Sequence, residues 1–297
     1  MIASTSARNR TGPTGTRLPD RKAGRAKKSL GQHFLVDKGI LRRIVAAAEL
    51  SRDDTVLEVG PGRGVLTREL AEQAGRVIAL ELDEALVAGL SEQFAGQPHV
   101  TAVHGDARDA DLDALIPVGT PYKVVANLPY YAASPIVRRF LNASRKPSLM
   151  VVMVQHEVAR EMAAQPGDMG FLSVLVQLHA RAKIVCKVSP RAFRPQPKVD
   201  SAVLRLDVLP EPALDLDSEA GFIELVRAGF SAPRKQVHNS LQKDLGLSPE
   251  AVAAMLSAAG VDPKRRAETL SMGEWGAVYA AWQAAEGGET VADEGRS

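Results

Sequence analysis

The sequence predicts an α/β protein, with a mostly parallel sheet carrying helices on both faces and a small all-helical region after it. Three observations predict this. Short apolar runs alternate with helix-period segments from Thr55 to Ala164. The runs are apolar at consecutive positions, as in strands buried on both faces. Beyond a Pro- and acid-rich stretch after Leu209, "PEPALDLD", the pattern becomes wholly helical.

In chain order, residues 1–26 are rich in Ser, Thr, Gly, Pro and Arg, lack periodicity, and are expected to be a disordered arm. Ile40, Leu41, Ile44, Val45 and Ala48 have helical spacing, with Asp37 as the N-cap. Strands are expected at Thr55–Val59, Arg76–Leu82, His99–His104, Tyr122–Asn127 and Ser148–Gln155. Helices are expected between them at Val65–Ala74, Glu84–Phe94, Pro135–Asn142 and Glu157–Ala164. "AKIVCKV" and Ser201–Val208 read as closing strands in an antiparallel edge. The first domain is thus expected over residues 27–209. Helices at Glu219–Gly229, Lys235–Leu245, Pro249–Ala259 and Gly273–Ala285 make a second over 210–285, leaving a tail at 286–297. Ser248 before Pro249 is an N-cap with proline in the first turn.

Bulk properties narrow the function. The 297 residues are 45% apolar and 24% charged, a soluble globular composition. The longest apolar run, Leu149–Val154, is far too short to span a bilayer, and the N-terminus has no apolar signal segment. A single cysteine, Cys186, fits a reducing compartment, so a cytoplasmic location is expected. No Cys cluster or His spacing suggests a metal site, and a monomer is expected. Residues 1–30 hold eight Lys and Arg against one acid, leaving 29 basic and 34 acidic residues elsewhere. A basic arm on a mildly acidic body suits a polyanionic partner, and equally a solvated tail.

"VLEVGPGRGVLT" places Gly60, Gly62 and Gly64 between the first strand of this series and its helix. Glycines there let a ligand approach the backbone beside free helix N–H groups. The G-x-G-x-G spacing differs from G-x-G-x-x-G, and Arg63 and Val65 crowd the space a pyrophosphate needs. Glu81, 21 positions after Gly60, ends the next strand and can hold vicinal ribose hydroxyls, or be an ordinary polar strand end. Asp106 follows the third strand and can accept from an adenine amine, or form an Asx turn. Together these favour an adenosine-bearing cofactor without a second nucleotide, S-adenosylmethionine rather than NAD.

"NLPY", Asn127 to Tyr130, leaves the fourth strand on the same rim. The Asn127 oxygen and a carbonyl of Leu128 or Pro129 can bind both hydrogens of an exocyclic amine. Pro129 contributes no N–H. Tyr130 offers a face on which an unstacked base can lie. The alternative is a Pro-bearing loop whose Asn caps the strand and whose Tyr is core.

"SLGQHFL", "LEVGPGRGVLT", "ALELD", "GDA", "NLPY", "FRPQPKVDSAV" and "RKQVHNSL" occur in that order. From about Lys27 to Trp282 the chain resembles the KsgA-type small-subunit rRNA adenine N6,N6-dimethyltransferases. The resemblance implies a Rossmann-like class I methyltransferase sheet and S-adenosylmethionine-dependent dimethylation of two adjacent adenines near the 3′ end of 16S rRNA. It also implies a role in ribosome biogenesis on the small ribosomal subunit. By resemblance, His33 and Leu35 close over the cofactor, Gly60 lies against its methionine end, and Gly62 belongs to the same turn. Glu81 holds the ribose, Asp106 the adenine amine, and Asn127 both cofactor rim and target amine. Tyr130 and Phe193 sandwich the flipped adenine.

The sequence departs from the family where His33 replaces an Asn of some relatives and Tyr131-Ala132-Ala133 replaces an Asn-Ile-Ser type run. Arg181, Lys183, Lys187, Arg191, Arg194, Lys198 and Arg205, with Arg227, Arg234, Lys235 and Lys243, are expected to meet rRNA phosphate. Rival readings are a macrolide-resistance type adenine methyltransferase acting on large-subunit rRNA, and an assembly factor whose binding matters more than catalysis. A nicotinamide oxidoreductase is disfavoured by the glycine spacing.

Overall fold

The computed structural model describes residues 33–294, with side chains described to residue 285. The expected arm over residues 1–26 lies outside the described residues.

The chain opens with a two-residue strand, β1 (Phe34–Leu35), and helix α1 (Lys38–Ala48). Asp37 caps α1, its carboxylate accepting from the N–H groups of Gly39 at 2.7 Å and Ile40 at 3.1 Å. Alternation follows: β2 (Thr55–Val59), α2 (Val65–Ala71), β3 (Arg76–Glu81), α3 (Glu84–Gln93), β4 (Val100–His104), α4 (Leu112–Leu115), β5 (Tyr122–Asn127), α5 (Ala133–Leu141), β6 (Leu149–Gln155) and α6 (His156–Met162). Then come α7 (Phe171–Gln177), β7 (Ala180–Val188), the short β8 (Phe193–Arg194) and β9 (Ser201–Val208). The last helices are α8 (Glu219–Phe230), α9 (Val237–Leu245), α10 (Pro249–Ala258) and α11 (Met272–Glu294). The expected tail therefore begins as helix, since α11 continues to Glu294.

Seven strands form one sheet in the order β4-β3-β2-β5-β6-β9-β7. The first five are parallel, while β9 runs antiparallel to both neighbours. The antiparallel edge is as expected, but β9 is inserted inside it and β7 forms the border. Burial explains the order. Ser201–Leu204 is buried throughout, whereas β7 alternates and exposes Arg181, Lys183 and Lys187, cations suited to an unpaired edge.

Two cores flank the sheet because successive strand residues point to opposite faces. Leu57, Ile78, Val124 and Met150 pack with Ile136 and Phe140 of α5 on one side. Val56, Val77, Val125 and Val151 pack with Ile44 and Leu70 on the other. A third core joins Phe222, Leu225, Leu241, Leu256 and Trp275 to Met169, Val174 and Leu178, so α7 is the surface on which the C-terminal helices pack. Buried His179 reinforces that junction. Its Nε2 lies 2.9 Å from Glu219 of α8, and its Nδ1 lies 3.1 Å from the Lys146 ammonium. A lysine ammonium only donates, so Nδ1 accepts and Nε2–H donates to Glu219.

α8 and α11 cross where Gly229 lies against Trp275. A Cβ on Gly229 would stand 2.4 Å from the indole, whereas one on exposed Gly89 of α3 meets nothing within 4 Å. Gly229→Ala is expected to cost about 1–3 kcal/mol through overpacking. Gly89→Ala is expected to stabilise by about 0.5–1 kcal/mol through helix propensity alone. Urea unfolding of both variants checks the pair.

Candidate active site

β2, β3 and β5 are in register, Val59 pairing with Leu80 on one side and Ala126 on the other. Their carboxyl ends therefore share one rim. The turn after β2 holds Gly60, Gly62 and Gly64 at φ of 69°, 58° and 72°, the left-handed region that glycine alone enters readily. A Cβ on Gly64 would also sit 2.8 Å from Leu90. The rim opens into a cavity of about 920 Å³, its mouth included, lined by residues of this turn, Glu81, Asn127–Tyr131, His33–Leu35 and Phe193.

Two carboxylates face the cavity. Glu81 ends β3 and is buried; its Oε2 accepts from Gly62 N–H and its Oε1 from Asp83 N–H, each at 3.0 Å. Each oxygen keeps a lone pair for a ligand hydroxyl. Glu58 sits inside β2 and is 1% exposed. Its Oε2 and the Thr67 hydroxyl both lack a partner of hydrogen-bond geometry. Burial pushes the Glu58 carboxyl up to about 8; the nearby Thr67 hydroxyl opposes the rise and the Glu81 charge adds to it. An orphaned acid beside a second carboxylate suits a cationic ligand.

At the end of β5 the Asn127 amide donates to the His33 carbonyl at 3.2 Å. Its Oδ1 has no partner among the described residues and remains an acceptor. Leu128 N–H donates to Met153 O at 3.1 Å, continuing the sheet ladder one residue past the strand. The Pro129 carbonyl accepts from Ala132 N–H at 3.0 Å, so of the two expected carbonyl acceptors Leu128 O is the uncommitted one. The Tyr130 hydroxyl lies 2.7 Å from Ser201 Oγ, and burial raises its pKa while that hydrogen bond opposes the rise.

A small lid crosses the rim. β1 pairs antiparallel with β8, Phe34 opposite Arg194 and Leu35 opposite Phe193. His33 Nδ1 lies 2.9 Å from Pro195 O, next to the cis Arg194–Pro195 peptide. The His33 ring stacks on Tyr130 at 5.8 Å and 26°. Tyr130 and Phe193, the two rings expected to sandwich the adenine, both line the cavity; Phe193 is 1% exposed and packs into the core behind it, and His33 lies against Tyr130. The Arg63 guanidinium lies over the Phe34 ring at 4.4 Å.

Asp106 does not line the cavity. Both its oxygens are engaged by the Arg108 side chain, and Oδ1 also accepts Arg108 N–H at 2.9 Å, so the Asx turn forms. That side-chain pairing holds its carboxyl below the usual range, against the opposing effect of burial. Arg191, Lys198, Arg234 and Lys235 are exposed, and exposed Arg194 folds back onto the carbonyls of Arg191 and Phe193. Arg205 does not join them; it is bound to Glu49 and Asp207 beneath α1. Sequence reasoning missed Glu58 and Leu82 on the cavity wall. Only Glu58 carried a signal, a carboxylate inside the apolar strand "TVLEV". Among the described residues no group of three or more His, Cys, Asp or Glu could hold a metal ion, and no helix is long and apolar enough to cross a membrane.

An inserted antiparallel strand near one edge, with a glycine turn opening a cavity at the carboxyl rim, makes this a Rossmann-like class I methyltransferase fold. The crystal structure of the 23S rRNA methyltransferase ErmE is similar with a TM-score of 0.69 and 32% identity, covering 84% of this chain and 99% of that one. A dimethyladenosine transferase from Plasmodium falciparum shares the fold at a TM-score of 0.71 and 24% identity, over 85% of this chain and 98% of that one. Residues 23–283 match the family described as Ribosomal RNA adenine dimethylase, and the chain belongs to that family. It is 49% identical over 251 residues to a Ribosomal RNA small subunit methyltransferase A of Dehalococcoides mccartyi, covering 84% of this chain and 86% of that one. A protein of the same description from Moorella thermoacetica is 45% identical over 262 residues, 85% of this chain and 91% of the relative. The protein is thus an rRNA adenine dimethyltransferase.

The raised Glu58 pKa sets a pH dependence. An acid whose folded pKa lies above its ordinary 4.5 stabilises the fold fully below that value and loses the contribution as pH rises through about 8. Wild-type stability is therefore expected to fall relative to Glu58→Gln across this window. Urea unfolding at about pH 5 and about pH 8.5 checks the sign, with the variant the more stable at the higher pH.

Proposed function

We propose that the protein transfers methyl groups from S-adenosylmethionine to the N6 amines of two adjacent adenines near the 3′ end of small-subunit rRNA. One observation carries the chemistry: Asn127 Oδ1 and Leu128 O, two uncommitted acceptors, stand next to a cavity with an orphaned buried acid. The preference for the small subunit is supported by relatives at 43–49% identity that bear that description, against 32% for the 23S methyltransferase.

In this reading Glu81 receives the two ribose hydroxyls, and Gly60 and Gly62 let the cofactor lie against the backbone. Glu58 faces its cationic groups, while His33 and Leu35 cover it from the lid. Asp106 accepts the adenine amine once the Arg108 side chain, which now engages both its oxygens, swings away. S-adenosylmethionine supplies an electrophilic sulfonium methyl. Asn127 Oδ1 and Leu128 O hold the two hydrogens of the target amine, which keeps its nitrogen lone pair directed at the cofactor. Each methyl gained releases one proton from the amine to solvent. Positioning and desolvation supply most of the acceleration. Tyr130 stacks the extruded base once His33 yields its face, with Phe193 as the rear wall. Arg191, Arg194, Lys198, Arg234 and Lys235 meet rRNA phosphates. The setting is the cytoplasm, and the active form is a monomer engaged on the small subunit. Methylating isolated small and large subunits side by side tests the substrate; transfer confined to the large subunit would refute the assignment.

Asn127→Ala is expected to lower the single-turnover rate by about a hundredfold or more while cofactor affinity changes less than tenfold. Glu81→Ala is expected to do the reverse, weakening cofactor binding by about tenfold or more through lost charge-assisted hydrogen bonds. Calorimetric titration and single-turnover assays separate the two. Reversing the charge of Arg191 and Lys198 together is expected to reduce the salt slope of rRNA binding by about one to two.

A further inference from the structure

A second cleft adjoins the target pocket. It is lined by Gln155, His156, Glu157, Pro190, Lys198, Val199 and Asp200, Glu157 lying 3.9 Å from the Arg160 guanidinium. Register places it. Asn127 pairs with Met153, and Gln155 lies two residues further along β6. Asn127, Met153 and Gln155 therefore project on one face of the sheet. From strand spacing and rise, Gln155 stands about 8 Å from Asn127. Ser201 pairs with Gln155 across β6 and β9, and its hydroxyl is the group 2.7 Å from Tyr130. The residue paired with Gln155 thus contacts Tyr130 of the target pocket.

Its chemistry is that of a base-binding site. The Gln155 amide and the His156 ring form no hydrogen bond among the described residues, although both line the cleft. Pro190 and exposed Val199 offer apolar surface for a base or ribose face. Asp200 would repel RNA if it stood alone, but its carboxylate is bound by Lys187 at 2.7 Å. The His156 N–H donates to Asp200 O at 3.0 Å and fixes the cleft floor. Lys198 is exposed at the mouth, where a phosphate would pass.

We propose that this cleft holds the adenine next to the one being methylated, with the Gln155 amide bound to its N6 amine and N7. A glutamine amide carries an acceptor beside a donor, the complement of that adenine edge. Single-stranded rRNA is read in this way, with unstacked bases splayed out and hydrogen-bonded on their edges. The cleft then sets the register of the strand while the neighbouring adenine still carries its unmethylated amine, as in the first of the two dimethylations. This inference rests on the reading that two adjacent adenines are the substrate.

The test uses the full-length protein and small subunits reconstituted with rRNA carrying 7-deazaadenine at one of the two positions. Mass spectrometry follows single-turnover methylation of the other adenine. The wild type is expected to slow roughly tenfold or more when N7 is removed from the neighbour. Gln155→Ala is expected to be slow on unmodified rRNA and to lose nothing further with the analogue. Gln155→Glu, which keeps the side chain's shape but cannot donate to N7, is expected to behave alike. Equal rates of the wild type on both rRNAs, or the same extra loss in both variants, would overturn the inference alone. Failure of the wild type to methylate either adenine of unmodified rRNA would overturn the underlying reading and the inference with it.

Discussion

The parallel register of β3, β2, β5 and β6 is the constraint on which the site depends. Hydrogen-bonded in step, these strands bring Gly60, Glu81 and Asn127 to one edge although 67 positions separate the first from the last. A slip of one residue in β5 would turn Asn127 to the opposite face and carry Val125 out of its core. The two cores enforce the register because β2, β5 and β6 are buried on both faces. Packing of the sheet and geometry of the rim are therefore one property.

On that rim the charges are arranged so that little is satisfied internally where a ligand would bind. Glu81 spends one lone pair per oxygen on backbone N–H groups, and Glu58 spends none on a partner of good geometry. Burying an orphaned acid costs stability, which is why its proton is retained to about pH 8. A fold that tolerates this beside a second carboxylate prepares a place for positive charge. Elsewhere polar groups are closed off: Arg205 is held by two acids under α1, and Asp106 by Arg108.

The lid adds a different kind of order. β1 and β8 lie far apart in sequence, yet their two-residue ladder carries His33 to both partners it needs, the Asn127 amide and the Tyr130 ring. By fixing the amide group through its nitrogen, the His33 carbonyl leaves the Asn127 oxygen as the exposed acceptor. The same histidine covers the Tyr130 ring, so in the proposed function entry of a base onto that ring requires displacement of the imidazole.

The alternation of apolar runs and helical segments was enough to read the parallel sheet, its cores and the rim residues Gly60, Glu81 and Asn127. Local periodicity and strand ends encode those features directly. The "FRPQPKVDS" and "NLPY" segments point to the family by sequence alone. Helix α7 escaped, because "FLSVLVQ" is apolar on nearly all sides and shows no period; it is buried between the sheet and the C-terminal helices. The insertion of β9, the inward turn of Phe193, the pairing of Asp106 with Arg108 and the stacking of His33 on Tyr130 could not be read either. Each depends on which distant segment arrives alongside. Composition and periodicity decide which residues are buried and where strands end, whereas the tertiary structure alone decides which polar atoms at that rim remain unpaired.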